Sequence, residues 1–182
     1  MAADLLTVPA DDRQMLVWWA RVAVASAARG EQLVCPEATG LLARPAAVFV
    51  SLHRAGALRG CMGSVSPSAR LLDAVVRAAT AAAADPRFDA IGPDELDQLE
   101  VQISVLGPIE PVADVRDIEL GVHGIILEQH GRQGLFLPQV AVEQGWDREI
   151  LLQQVCVKAG IPPSALDDGV RLFRFSAQVF GE

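Results

Sequence analysis

Apolar and polar positions along the chain alternate between two periods, and the changes of period mark the elements. Asp11 or Asp12 caps a first helix running to about Arg29, with Leu16, Trp19, Val22 and Val24 mostly on one side and Gly30 as its stop. Cys35 to Pro45 holds two prolines and a glycine and reads as a loop. Ala47-Val48-Phe49-Val50-Ser51-Leu52-His53 is rich in strand-forming residues. Arg54 to Ala57 supplies a turn, and Leu58 to Val65 returns as the second strand of a hairpin. Ser66-Pro67 then predicts a helix start, continuing through Leu71, Leu72, Val75 and Val76 to Asp85-Pro86. A strand follows at Glu100 to Leu106, where Val101, Ile103 and Val105 alternate with Gln102 and Ser104.

The second half repeats that order. His123 to Gln129 and Gln133 to Leu137 form a hairpin around His130-Gly131-Arg132, and Pro138 stops its second strand. A helix starts at Asp147, with Trp146 placed to pack on Leu151, and ends at Gly160. Val170 to Phe180 is a long final strand. Hairpin, helix, strand therefore occurs twice, at about 47–106 and 123–180. The predicted fold is α+β, a single domain over 1–182 with two pattern-related lobes and mostly antiparallel sheets flanked by helices.

Composition narrows the function classes. The 182 residues carry 23 acidic and 15 basic side chains, a formal net charge of -8, which argues against a nucleic-acid binder. No apolar run reaches the ~18 residues of a membrane helix. The best stretches, 15–28 and 74–84, are broken by Arg21 and Arg77. The N-terminus carries an acid and no basic region, so no secretory leader is expected, and three cysteines without close spacing rule out a disulfide framework. These features read as a cytoplasmic protein with reduced thiols. One lysine against 14 arginines, with abundant alanine, reads as a GC-rich bacterial genome.

Chemistry concentrates in Leu58-Arg59-Gly60-Cys61-Met62-Gly63-Ser64-Val65. Two glycines in a strand mark a bulge or a close approach by another group. Strand alternation puts Arg59 on the same face as Cys61, where a cation favours thiolate, and a helix starting near Pro67 adds the partial positive charge of its N-terminus. Free cysteine is also among the most buried residue types, and from spacing alone packing is the stronger reading of the same residue. A two-residue turn pairs Cys61 with Val50 and Arg59 with Leu52. A three-residue turn pairs them with Ser51 and His53, and both registers remain open. Asp85 and Arg87 either pair with each other or serve the Cys61 face, Arg87 being able to bind an anionic ligand. His123 reads as a base or as a structural histidine. Cys61, His53 and His123 do not have metal-ligand spacing, and no metal or other cofactor is expected. Cys156 sits among Leu151, Leu152 and Val155 and reads as core. Asp94, Glu95, Asp97 and Glu100 read as a solvated acidic surface.

The octapeptide at 58–65 closely resembles the AMMECR domain signature, whose usual form is Leu-Arg-Gly-Cys-Ile-Gly-Thr-Phe; Met62, Ser64 and Val65 are mild departures. The resemblance continues through Asp85-Pro86-Arg87-Phe88, Val101 to Leu106, His123 to Ile126, Gly134 to Val140, Glu143 to Asp147 and Lys158-Ala159-Gly160, covering roughly 33–182. It implies an α+β fold of two related lobes and no established reaction. Prokaryotic members are called AmmeMemoRadiSam system protein A, which implies an accessory or binding component working with Memo-like and radical SAM proteins. The alternative is an enzyme with Cys61 as nucleophile, Arg59 activating it and His123 or His53 as base. Gly60, Gly63, Asp85 and Arg87 are the residues expected to bind ligand or partner.

Overall fold

The computed structural model describes residues 6–167 and 169–181, so the expectation about a leader at residues 1–5 lies outside them. Two compact units emerge: residues 6–106 with 178–181, and residues 107–177. The fold is α+β in both.

In the first unit, α1 (Ala10–Arg29) precedes the strands β1 (Pro45–Arg54) and β2 (Ala57–Arg70), the helix α2 (Leu71–Ala82) and the strand β3 (Leu99–Leu106). β1 lies between β2 and β3 and is antiparallel to both, which leaves β2 at the edge. Val48, Val50 and Leu52 face one way from β1 and are buried with Leu71, Val75 and Ala79 of α2 and Leu16 and Ala20 of α1. That is a helix stripe on the apolar face of a sheet, formed by a period near 3.6 meeting a period of 2.

The helix expected from Ser66-Pro67 starts five residues later than Ser66. β2 continues instead, with Ala69 paired to Ala46 and Arg70 to Pro45, and the Leu71 amide donates to the Arg44 carbonyl at 2.8 Å. Pairing between Ala46/Ala69 and Val48/Ser64 advances β1 by two residues and β2 by five, so residues 65–68 bow out in a bulge. Strand pairing overrides a good capping dipeptide here. The helix N-terminus is consequently Leu71, at the far end of β2 from Cys61.

The second unit contains the short strand β4 (Glu110–Pro111), β5 (His123–Gln129), β6 (Arg132–Phe136), the helices α3 (Pro138–Glu143) and α4 (Arg148–Ala159), and most of β7 (Arg171–Gly181). β7 pairs with β5 on one side and β4 on the other, and β6 pairs with β5. Pro138 does end the strand region, and it also opens α3, which the sequence pattern did not announce. Asp147 caps α4 through its side chain, which accepts from the Ile150 amide at 2.8 Å, and Gly160 ends it in the left-handed conformation. Cys156 is fully buried beside Leu151, Val155 and Ala159.

The two hairpins share their internal geometry. Each turns through two residues of positive φ, Ala55 (50°) and Gly56 (77°) in the first, His130 (48°) and Gly131 (78°) in the second. Each also has a glycine pressed against its helix. A Cβ on Gly60 would stand 2.2 Å from the Ala82 carbonyl oxygen of α2, and one on Gly134 would stand 2.4 Å from that of Val155 in α4. One difference separates them. Four residues lead from Gly56 to Gly60, three from Gly131 to Gly134.

Candidate functional site

The extra residue is Arg59. The hairpin closes with Arg54 opposite Ala57 and His53 opposite Leu58, as a two-residue turn requires, then shifts so that Leu52 faces Gly60 and Ser51 faces Cys61. Arg59 is the bulged residue, and neither uniform register applies. The bulge combines the turn of one with the Cys61–Ser51 pairing of the other, and it turns Arg59 out of the regular alternation.

Arg59 consequently serves Glu95 rather than the thiol. Its Nε and Nη2 donate to the two Glu95 carboxylate oxygens at 3.0 and 2.8 Å, and its Nη1 donates to the Asp89 carbonyl at 2.6 Å. Glu95 also accepts from Arg54 Nη1 at 2.9 Å and from the Gly92 amide at 3.2 Å. Hydrogen bonding to Arg59 first, then to Gly92 and Arg54, holds its carboxyl down at about 2. The acidic run read as solvated surface therefore includes a carboxylate that neutralises two arginines. The signal available for it was the three-residue spacing from Gly92 to Glu95, where a first-turn side chain bonds back to the amide opening the short helix Pro93–Gln98.

Cys61 is gripped from a different direction. Three residues beyond α2, Asp85 is 2% exposed and its Oδ2 accepts from the Cys61 amide at 2.9 Å. Arg87 Nη2 donates to that same Oδ2 at 2.6 Å and to the Cys61 carbonyl at 3.3 Å, while its Nε and backbone amide donate to Oδ1 at 3.0 and 3.1 Å. The Arg87 side chain holds the Asp85 carboxyl well below the usual carboxylate range, helped by the Cys61 and Arg87 amides. The two readings of this pair coincide: Asp85 and Arg87 bind each other and together brace the Cys61 backbone.

The sulfur itself receives the Ser51 hydroxyl, at 3.2 Å. Cys61 is half-buried, as is Cys35, whereas Cys156 is buried. Desolvation, then the hydrogen bond and charge of Asp73, push the Cys35 thiol up to about 11, and burial pushes Cys156 up as well. Gly63 faces Phe49, and a Cβ there would meet the Val48 carbonyl at 2.2 Å.

Beside this cluster lies an open depression of about 800 Å³, walled by Arg54, Arg59, Arg87, Phe88, Asp89, Asp94 and Glu95. The Arg54 and Arg87 side chains are about half exposed, at 47% and 52%. Arg87 also lies over the Phe88 ring.

His123 belongs to the second unit, at the start of β5, and its Nδ1 accepts from the Glu119 amide at 3.0 Å. The bonds just described around Cys61, Asp85, Arg87, Arg59 and Glu95 all arise within the first unit. His53 lies on β1, opposite Leu58 and Glu100. Among the described residues, no group of three or more histidine, cysteine, aspartate and glutamate side chains could hold a metal ion.

A family profile described as AMMECR1 matches residues 17–180. The chain belongs to the AMMECR1 family. An AMMECR1 relative from Methanothermobacter thermautotrophicus is 43% identical over 182 residues, covering 94% of this chain and 95% of its own. One from Aeropyrum pernix is 41% identical, covering 94% and 79%. The crystal structure of an uncharacterised protein from Pyrococcus horikoshii superposes with a TM-score of 0.87 at 38% identity, over 92% of this chain and 90% of that one. These relatives are archaeal, so the bacterial source read from composition gains no support from them. Among the described residues, no helix of this AMMECR1 chain is long and apolar enough to cross a membrane.

Proposed function

We propose that this AMMECR1 domain is a recognition module rather than a catalyst, docking through the surface formed by β2, the Asp85–Arg87 turn and the adjoining depression. Its role is that of an accessory component acting with Memo-like and radical SAM proteins in the cytoplasm, where three unpaired cysteines stay reduced. The observation that carries the reading is where the charges go. Asp85 and Arg87 hydrogen-bond the amide and carbonyl of Cys61, and Arg59 bonds Glu95, so that the sulfur, although near the Arg87 charge, is left with a neutral hydroxyl as its hydrogen-bond partner. Such a cluster fixes a backbone shape and presents half-exposed guanidinium groups. Among the described residues, none of these bonds links an acid or a base to the thiol.

The test is co-purification of the wild-type chain and Cys61→Ser with a Memo-like and a radical SAM protein from the same organism, followed by mass spectrometry of partners and modified substrates. Loss of partner binding by a variant with an unchanged circular dichroism spectrum supports recognition. Unchanged binding with loss of a modification overturns it in favour of chemistry at Cys61. One observation favours that second reading: the half-buried Cys61 sulfur accepts a hydrogen bond from the Ser51 hydroxyl. In it Cys61 is the nucleophile and Arg59 the group that activates it.

A further inference from the structure

We propose that the outer edge of β2 is a strand-addition site that takes an extended acidic segment of a partner protein. The proposal rests on the recognition reading above and supplies its mode and chemistry.

An edge strand exposes a row of amides and carbonyls, and proteins blunt such rows with charge, proline or covering groups. β2 is the edge of its sheet. Its outward amide and carbonyl at Cys61 are already occupied, by Asp85 and Arg87. A carboxylate accepting from the amide and a guanidinium donating to the carbonyl is the pattern a neighbouring strand would offer. The register from Leu52/Gly60 to Val48/Ser64 is uninterrupted, so Gly63 points its amide and carbonyl out of the sheet as Cys61 does, about 7 Å further along. Among the described residues nothing pairs with them. The Ser66 amide turns back to the Ser64 hydroxyl at 3.0 Å, and Pro67 has no amide to offer. The open window is thus short, centred on Gly63, and bounded by a brace at one end and a bulge at the other.

The occupant follows from charge. Residues 55–72 contain no aspartate or glutamate, and their two arginines are already paired, Arg59 with Glu95 and Arg70 with Asp73, so the cation left for a partner is the one at the brace. At the brace, Arg87 directs Nε and Nη2 inward, while its Nη1 makes no hydrogen bond among the described residues and its side chain is half exposed. A carboxylate on an added strand meets that free edge of the guanidinium. A second copy of β2 carries no carboxylate to meet that guanidinium, so the partner is a different chain with acidic side chains on an extended segment.

Random peptides displayed on phage are selected against the full chain, and an enriched peptide is synthesised and titrated into 15N-labelled protein. Acidic sequences should be enriched. The Gly63 amide should shift and exchange at least about tenfold more slowly with peptide bound, and affinity should fall severalfold between about 0.05 and 0.5 M salt. Arg87→Gln should weaken the acidic peptide about tenfold. If that variant does not fold, the exchange and salt measurements on wild type decide. Basic enriched sequences, no enrichment, or a bound peptide that leaves Gly63 exchanging at its free rate overturns the proposal. Co-purification of the two partner proteins with Gly63 unprotected overturns strand addition and leaves recognition standing. Protected Gly63 without co-purification does the reverse.

Discussion

Replacing Asp85 by asparagine keeps the shape of the side chain and removes its charge, which isolates the brace on Cys61. The carboxylate accepts four hydrogen bonds, two at each oxygen: from the Arg87 amide and Nε at Oδ1, and from Arg87 Nη2 and the Cys61 amide at Oδ2. An amide has one oxygen, so at most one of these pairs survives, and its NH2 group points at the donors of the other. Bonds to a charged group contribute roughly 1.5–3 kcal/mol each, and a stranded buried donor costs roughly 1–3 kcal/mol. Arg87 is half exposed and recovers much of its share from water. The net loss is therefore about 3 kcal/mol, or roughly 6–12 °C in Tm for a chain of this length. Urea unfolding at pH 7 followed by circular dichroism measures it. The pH dependence supplies an independent check of the cause. Asp85 has its carboxyl held below its ordinary 3.8, so its contribution is fully present above that pH and fades as pH falls toward the folded-state value. The gap between wild type and Asp85→Asn should narrow below about pH 3.8. A gap under about 1 kcal/mol at pH 7, or one that does not change with acid, would refute the brace as described.

Gly60→Ala and Gly134→Ala each force a Cβ against a helix carbonyl, and each should lose about 3 kcal/mol or more in urea unfolding. Ala55→Gly should gain about 0.5–1 kcal/mol, because Ala55 sits at φ 50° where an L side chain is strained; a loss in thermal unfolding counts against that turn geometry. Iodoacetamide at neutral pH should label Cys61 before Cys35, whose thiol is pushed up to about 11, and before buried Cys156. Peptide mapping by mass spectrometry reads the order, and Cys35 labelling first would contradict it.

What the sequence made legible was whatever is local. Gly56 and Gly131 marked the hairpin turns, Asp147 and Gly160 bounded α4, and the alternation of Val101, Ile103 and Val105 marked β3. The start of α2 was misplaced because Ser66-Pro67 satisfies every local rule for a helix cap, while the competing term is pairing with residues 45 and 46, distant in sequence. The brace was half visible. The spacing of Asp85 and Arg87 shows that they can pair, but nothing local shows that Cys61, 24 residues earlier, supplies the third member. Glu95 was lost in an acidic run because its partners lie 36 and 41 residues away.

The bulge could have been found by comparing the hairpins with each other. Both need a glycine where the second strand crosses the helix, and the spacing from turn to crossing is one residue longer in the first. A hairpin that keeps both landmarks can absorb that residue only by bulging, and the residue is Arg59. The consequence reaches Cys61 through Gly60. Because Gly60 has no Cβ, β2 lies directly on the last turn of α2 at Ala82, and the chain leaving that turn brings Asp85 to the Cys61 amide three residues later. The same construction in the second unit places Leu135, with no charge pair described on it, where Cys61 stands in the first. The candidate site is therefore an elaboration of one of two similar hairpins, made by one inserted arginine and one helix exit rather than by the fold they share.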